Sequence, residues 1–195
     1  MDFAKQKQRR SITLGFLVFA FAVAPSVEAG SVFEAPGVPN FHQVDDHVFR
    51  GGQPSAHGFK SLSLIGVKTV IDLRLGAEQG HDEESVVKMA GMHYIHVPFN
   101  GFTAPTDQQI ATVLSLLDDS SGWPAFIHCR RGADRRGTVI ACYRIAHDHW
   151  ANEKALNEAK LYRMSRLERE MQQYILHFGP GSQAQASHTL IPAVH

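Results

Sequence analysis

Cysteine is nearly absent: Cys129 and Cys142 are the only two in 195 residues. Two cysteines cannot build a disulfide framework, so an ordinary apolar core must hold the fold. Charge of one sign is also missing, since 19 Lys and Arg face 19 Asp and Glu. That excludes the generally basic surface of a nucleic-acid-binding protein. The sequence has no internal repeat and no long low-complexity tract. Its longest uncharged apolar run, Ile12 to Ala24, falls short of the roughly 20 residues that cross a bilayer comfortably.

That run has a different use. Lys5, Lys7, Arg9 and Arg10 precede it, Pro25 breaks it, and Val27-Glu28-Ala29 places small residues where a signal peptidase cuts. The layout predicts a secretory signal peptide over residues 1–29 and a secreted or periplasmic product. An uncleaved N-terminal anchor is the alternative. Cleavage would remove four basic and two acidic residues from a chain with 19 of each, leaving an excess of two negative charges. No stable membrane association is expected after cleavage, and any affinity for anions must be local.

Residues 30–40, rich in Gly and Pro, suggest a linker, and residues 179–195 a loosely ordered tail. The single domain between them spans 41–178. Phe41 to Arg50 alternates around Asp45-Asp46 as a hairpin would. Ser55 starts a helix that Gly66 ends. Val67 to Leu73, His93 to Val97 and Ala125 to His128 are short apolar strands. Glu78 to Ala90 is expected to be helical, and Thr106 with Gln109 forms a capping box for a helix to Leu117. Further helices are expected over Gly137–His149, Asn152–Arg163 and Ser165–Phe178. Strands separated by helices predict an α/β fold, with a small, mostly parallel central sheet flanked by helices.

The chemistry concentrates in His128-Cys129-Arg130-Arg131-Gly132-Ala133-Asp134-Arg135-Arg136-Gly137. A loop between a buried strand and a helix gathers backbone N–H groups at the positive end of the helix dipole. Such surroundings lower a cysteine pKa from about 8.5 to roughly 3.5–7.5, which makes a thiolate nucleophile at neutral pH. Arg135, six residues on, can return to grip two phosphate oxygens with its planar fork. The amides of Arg130 to Asp134 complete an oxyanion cradle. Cys142 falls on the apolar face of the following helix and is expected in the core.

Cys-x5-Arg after a strand, preceded by His, resembles the phosphate loop of the protein tyrosine phosphatase superfamily, and the small domain its dual-specificity branch. Phe49-Arg50-Gly51-Gly52-Gln53-Pro54 and Val70-Ile71-Asp72-Leu73-Arg74 resemble the opening of the atypical dual-specificity phosphatases of plants and fungi and their bacterial relatives. Low-molecular-weight phosphatases carry their motif near the N-terminus instead, and rhodaneses lack Cys-x5-Arg. The resemblance implies a phosphatase that hydrolyses phosphomonoesters of proteins (phosphotyrosine, phosphoserine, phosphothreonine) or of small metabolites such as inositol phosphates. It also implies a phosphocysteine intermediate on Cys129, with neither metal nor cofactor.

The general acid is open in the sequence. The family draws an aspartate from the loop that here reads Pro98 to Pro105, where Asn100 stands instead. Asp107 is the nearest carboxylate, equally readable as a charge complementing a helix dipole, and Asp134 inside the phosphate loop is its rival. Arg136 occupies the position where the family places a Ser or Thr hydroxyl that stabilises the departing thiolate. With Arg130 and Arg131 it is expected to make the pocket rim basic, its guanidinium facing solvent, and dephosphorylation of the enzyme is expected to be slow. Those two departures leave an alternative, a phosphatase-fold module that binds phosphorylated ligands without turnover.

Overall fold

The computed structural model describes residues 34–78 and 82–179; the expected signal peptide and the tail beyond 179 lie outside the described residues. Short β-branched and aromatic runs pair into one five-stranded sheet: β1 (His42–Gln43), β2 (Val48–Gly52), β3 (Thr69–Asp72), β4 (His93–His96) and β5 (Ala125–Cys129). Their order across the sheet is β1-β2-β5-β3-β4. Only β1 runs antiparallel, closing the expected hairpin with β2. The other neighbours are parallel, which bears out the α/β expectation.

Helices cover both faces of that sheet: α1 (Ala56–Leu64), α2 (Glu83–Met89), α3 (Asp107–Asp118), α4 (Asp134–Ala146), α5 (Asn152–Leu161) and α6 (Arg169–His177). Alternate residues of β5 point to opposite faces. Phe126 joins Phe49, Phe59, Leu62, Val70 and Val87 on one side. On the other, Ile127 and Cys129 join Ile71, Ile110, Leu117, Val139 and Ile140. Each large apolar side chain withdrawn from water contributes about 1.5–3 kcal/mol, so β5 is anchored from above and below. Helices α5 and α6 add an outer layer in which Ala155, Ala159, Met164 and Ile175 enclose Ala141 of α4.

Local signals set several boundaries where expected. Ser55 Oγ accepts from Gly58 N at 3.1 Å to start α1. At α3 the capping box is complete: Thr106 Oγ1 accepts from Gln109 N (3.2 Å) and Gln109 Oε1 from Thr106 N (2.9 Å). Several boundaries differ, among them the start of α6, at Arg169 and not Ser165. A 3-10 turn at Gly76–Glu78 precedes the shorter α2. Helix α4 begins at Asp134 and not Gly137, so Asp134, Arg135 and Arg136 form its first turn. Residues 34–40, expected as a linker, pack onto the domain: Ala35 and Val38 are buried, and Pro39 O accepts from Gly52 N at 2.6 Å. Among the described residues no helix is long and apolar enough to cross a membrane.

Candidate active site

Parallel register brings Gly52 beside Cys129 and Asp72 beside His128, so the carboxyl ends of three central strands meet where α/β folds bind ligands. The phosphate loop leaves β5 at Cys129 and turns at Gly132, whose φ is +65°. A Cβ there would lie 2.3 Å from Gly52 N, so only glycine fits. The loop is held from behind. Gln53 N donates to Arg130 O at 3.2 Å, and Asn40 Nδ2 donates to Gly132 O. The Gly51-Gly52-Gln53 turn is therefore the backing of the loop. No side chain caps α4 at Ala133, which leaves first-turn N–H groups for an anion.

Above the loop lies a cavity of about 650 Å³ that reaches Cys129 and is lined by Arg130, Arg131, Asp134 and Arg135. Cys129 is 2% exposed, at the floor. Arg135 is held in place by Glu78, another lining residue: Nη2 donates to Oε1 at 3.1 Å and Nη1 to Oε2. Burial alone would lower the Arg135 pKa; the Glu78 hydrogen bond and the Cys129 thiolate outweigh it and raise it. The same hydrogen bond and charge hold Glu78 below the usual carboxylate range, so Glu78 stays ionised at neutral pH and cannot supply a proton. Cys142 is the opposite of Cys129: fully buried in the core, its thiol pushed well up by burial and by the charge of Asp107. Both cysteines are free.

The two candidate acids part company. Asp107 sits exposed in the first turn of α3, where Oδ1 accepts from Tyr174 OH at 2.7 Å. It complements the helix dipole and ties α3 to α6, and it does not line the cavity. Asp134 does line the cavity. It is 7% exposed, with Oδ1 accepting from Ser165 N at 2.7 Å and Oδ2 from Arg131 Nη2 at 3.3 Å. Asn100 is a loop fastener whose Oδ1 accepts from Phe102 N at 2.9 Å.

At the rim, Arg130 and Arg131 are exposed as expected, beside the apolar Leu75 and the 86% exposed Phe102. Arg136 is not there. It is fully buried, with Nη1 donating to Asn40 O (3.2 Å) and Nη2 to Tyr162 O (3.4 Å). The expected solvent-facing guanidinium is corrected by the earlier helix start. Residues 135 and 136 are about 100° apart around α4, so one faces the cavity and the next faces the interior. Thr138, the nearest hydroxyl, donates to Asp134 O at 3.0 Å.

Residues 34–176 match the model of a family described as a DSP-PTPase phosphatase fused to NAD+ kinase. The chain belongs to this phosphatase family. It is similar to the inositol diphosphatase DSP5 of Arabidopsis thaliana, 31% identical over 126 residues, 62% of this chain and 60% of that protein. The chain thus spans less than two thirds of that relative's length. The fold matches the core catalytic domain of the PP-IP phosphatase SIW14 from S. cerevisiae in complex with citrate, with TM-score 0.65 and 22% identity over 82% of this chain and 96% of that one. It also matches TpbA of P. aeruginosa in complex with pTyr, with TM-score 0.65 and 20% identity over 78% and 98%.

Beneath the loop lies a buried polar layer. Asp72 accepts from Arg74 Nε (2.9 Å) and Nη2 (2.8 Å), and Arg74 Nη2 also donates to Glu83. His128 Nε2 lies 3.0 Å from Glu83 Oε1, without the alignment of a hydrogen bond. Burial alone would raise the Asp72 carboxyl, but Arg74 hydrogen bonds and the His128 charge hold it far below its ordinary value. Asp72, Glu83 and His128 lie close enough to share a cation, yet the Arg74 guanidinium already joins the two carboxylates. The layer is an ion-paired platform for the His128-Cys129 step. Neither Glu83 nor Glu78 carries a local sequence signal for these roles. Both lie around α2, and only tertiary folding brings them to the loop.

Proposed function

We propose that the protein hydrolyses phosphate monoesters through a phosphocysteine on Cys129. One observation carries this reading: the loop cysteine lies at the floor of a cavity that Arg135 enters. The Cys129 thiolate attacks phosphorus while the ester P–O bond breaks, and Asp134 gives its proton to the leaving oxygen. Water then attacks phosphorus, its proton passes to the Asp134 carboxylate, and the P–S bond breaks to return the thiolate. Arg135 and the loop amides hold the equatorial oxygens throughout. Asp134 takes the acid role because it lines the cavity, which Asp107 does not.

The substrate is an ester whose phosphate is accompanied by further negative charge, a phosphotyrosine flanked by acids or an inositol phosphate. Exposed Arg130 and Arg131 support this, and the relative named as an inositol diphosphatase is consistent with it. An aryl phosphate assay on wild type and Cys129→Ser, with and without chelator, tests the reaction. Activity lost in the variant and kept in EDTA is expected. Retained activity in Cys129→Ser would mean an unrelated mechanism, and a wild type that releases no phosphate would leave the binding-module alternative. Residues 1–29 are removed on export, and mass spectrometry of the mature protein should find Gly30 first; an intact Met1 on cytoplasmic protein refutes export.

A further inference from the structure

The interior side of the phosphate loop holds more positive charge than its own carboxylate balances. Arg136 is fully buried, and among the described residues its Nε has no hydrogen-bond partner. Arg50 is 1% exposed, its guanidinium 3.3 Å from the centre of the Tyr162 ring and its Nη1 3.6 Å from Glu158 Oε2. Glu158 is shared again with Arg144 at 3.3 Å. Arg50 and Gly52 are two positions apart on β2, so both face the same way. Gly52 pairs with Cys129, which puts the Arg50 guanidinium on the Cys129 side of the sheet. Buried charge of one sign is costly unless an anion answers it.

Arg136 is also fastened to the loop. The Asn40 carbonyl that accepts from Arg136 belongs to the residue whose Nδ2 donates to Gly132 O. Burial and the neighbouring Arg50 charge push Arg136 down to about 10, and the Cys129 thiolate is the first influence to pull it back up. Arg136 therefore stays cationic at neutral pH, buried in the first turn of the helix that follows the Cys129 loop and tied to that loop through Asn40.

We propose that buried Arg136, backed by Arg50, is the inner counterion of the Cys129 thiolate, opposite Arg135 on the cavity side. This rests on Cys129 as the nucleophile. When water attacks the phosphocysteine, the P–S bonding pair moves onto sulfur, and Arg136 stabilises the charge that forms there. It acts through space on the nucleophile and does not touch substrate. It is a positioning and charge-stabilising residue, and dephosphorylation need not be slow.

Two sets of charged and titratable groups lie around the loop. On the interior side Arg50 of β2, Glu158 of α5, Tyr162 and His42 of β1 accompany Arg136. On the cavity side Arg135, Glu78 and Asp134 line the same space as Cys129, and Asp72 and His128 lie in the layer beneath. Only Arg136 and Glu158 need be changed to isolate the interior charge.

The test is the pH dependence of Cys129 alkylation by iodoacetamide, followed by mass spectrometry of its peptide, which requires no turnover. Arg136→Met should move the reactivity midpoint up by about one pH unit, a roughly tenfold loss of thiolate below it. Arg136→Lys, which keeps the charge, should restore the midpoint. Glu158→Gln removes the competing carboxylate and should move the midpoint down, which decides the matter if Arg136→Met does not fold. A midpoint unchanged in a folded Arg136→Met, or in Glu158→Gln, overturns the proposal. Altered midpoints in a protein that releases no phosphate would instead sustain it and refute the phosphatase reading.

Discussion

Glu78 holds Arg135 by both of its terminal nitrogens, so the fork meant for phosphate already has a carboxylate partner within the cavity. The contact fixes the guanidinium in place and also sets a negative charge beside the incoming dianion. Glu78→Gln keeps one acceptor and removes the charge. Inhibition by inorganic phosphate should tighten several-fold, with kcat reduced as Arg135 loses its orientation. Because Glu78 is depressed in the folded protein, its stabilising contact is present above the ordinary glutamate range and lost as pH falls below it. The stability difference between wild type and Glu78→Gln should therefore vanish in acid; a difference independent of pH would contradict the assignment.

Asp134 and Asp107 are separated by leaving-group dependence. General acid catalysis contributes typically ~10²–10⁴-fold, and it matters most where the leaving oxygen is basic. Asp134→Asn can still accept from Ser165 N, so the fold should persist. Its rate on an alkyl phosphate should fall by about that factor, and far less on an activated aryl phosphate. Asp107→Asn should leave both near wild type. A selective loss in Asp107→Asn would return the role to that residue.

The rim arginines should act on substrate choice. Arg130→Ala and Arg131→Ala should raise KM for a polyphosphorylated inositol several-fold while leaving a small aryl phosphate almost unchanged. Exposed charges act weakly on single pairs and more strongly on polyanions, so the effect should shrink with salt. Equal effects on both substrates would show that these residues serve the loop and not the substrate.

Arg74 supports the platform beneath the loop. Arg74→Met leaves Asp72 and Glu83 buried without their cation, and breaking such a pair costs about 3–5 kcal/mol. Denaturant titration should show a loss of that size at neutral pH. Asp72 is depressed in the folded state, so its contribution is present above the ordinary aspartate range and lost as pH falls through and below it. The gap between variant and wild type should narrow in acid. A loss under about 1 kcal/mol would mean that the layer is solvated or can repack.

What could be read from the chain follows the range of the interactions involved. The Thr106–Gln109 box, the Ser55 cap and the Cys129–Arg135 spacing are local, and each is present in the fold. The α4 start was not legible, because Gly137 looks like a boundary while the loop itself coils into the first turn. Arg136 was misplaced for a related reason. A guanidinium reads as surface until tertiary contacts supply Asn40 O and Tyr162 O, 96 and 26 residues away. Glu78 lies 57 residues from Arg135, and nothing in its local pattern marks it as a partner.

The central claim is that phosphate passes through Cys129. Asp134→Asn should slow the second step by depriving the attacking water of its base, so the intermediate should accumulate on an activated aryl phosphate. Rapid mixing, acid quench and mass spectrometry of the peptides should then find phosphate on the peptide bearing Cys129, absent in the Cys129→Ser background. An unmodified Cys129 peptide during steady turnover, or phosphate on a different residue, would contradict the account.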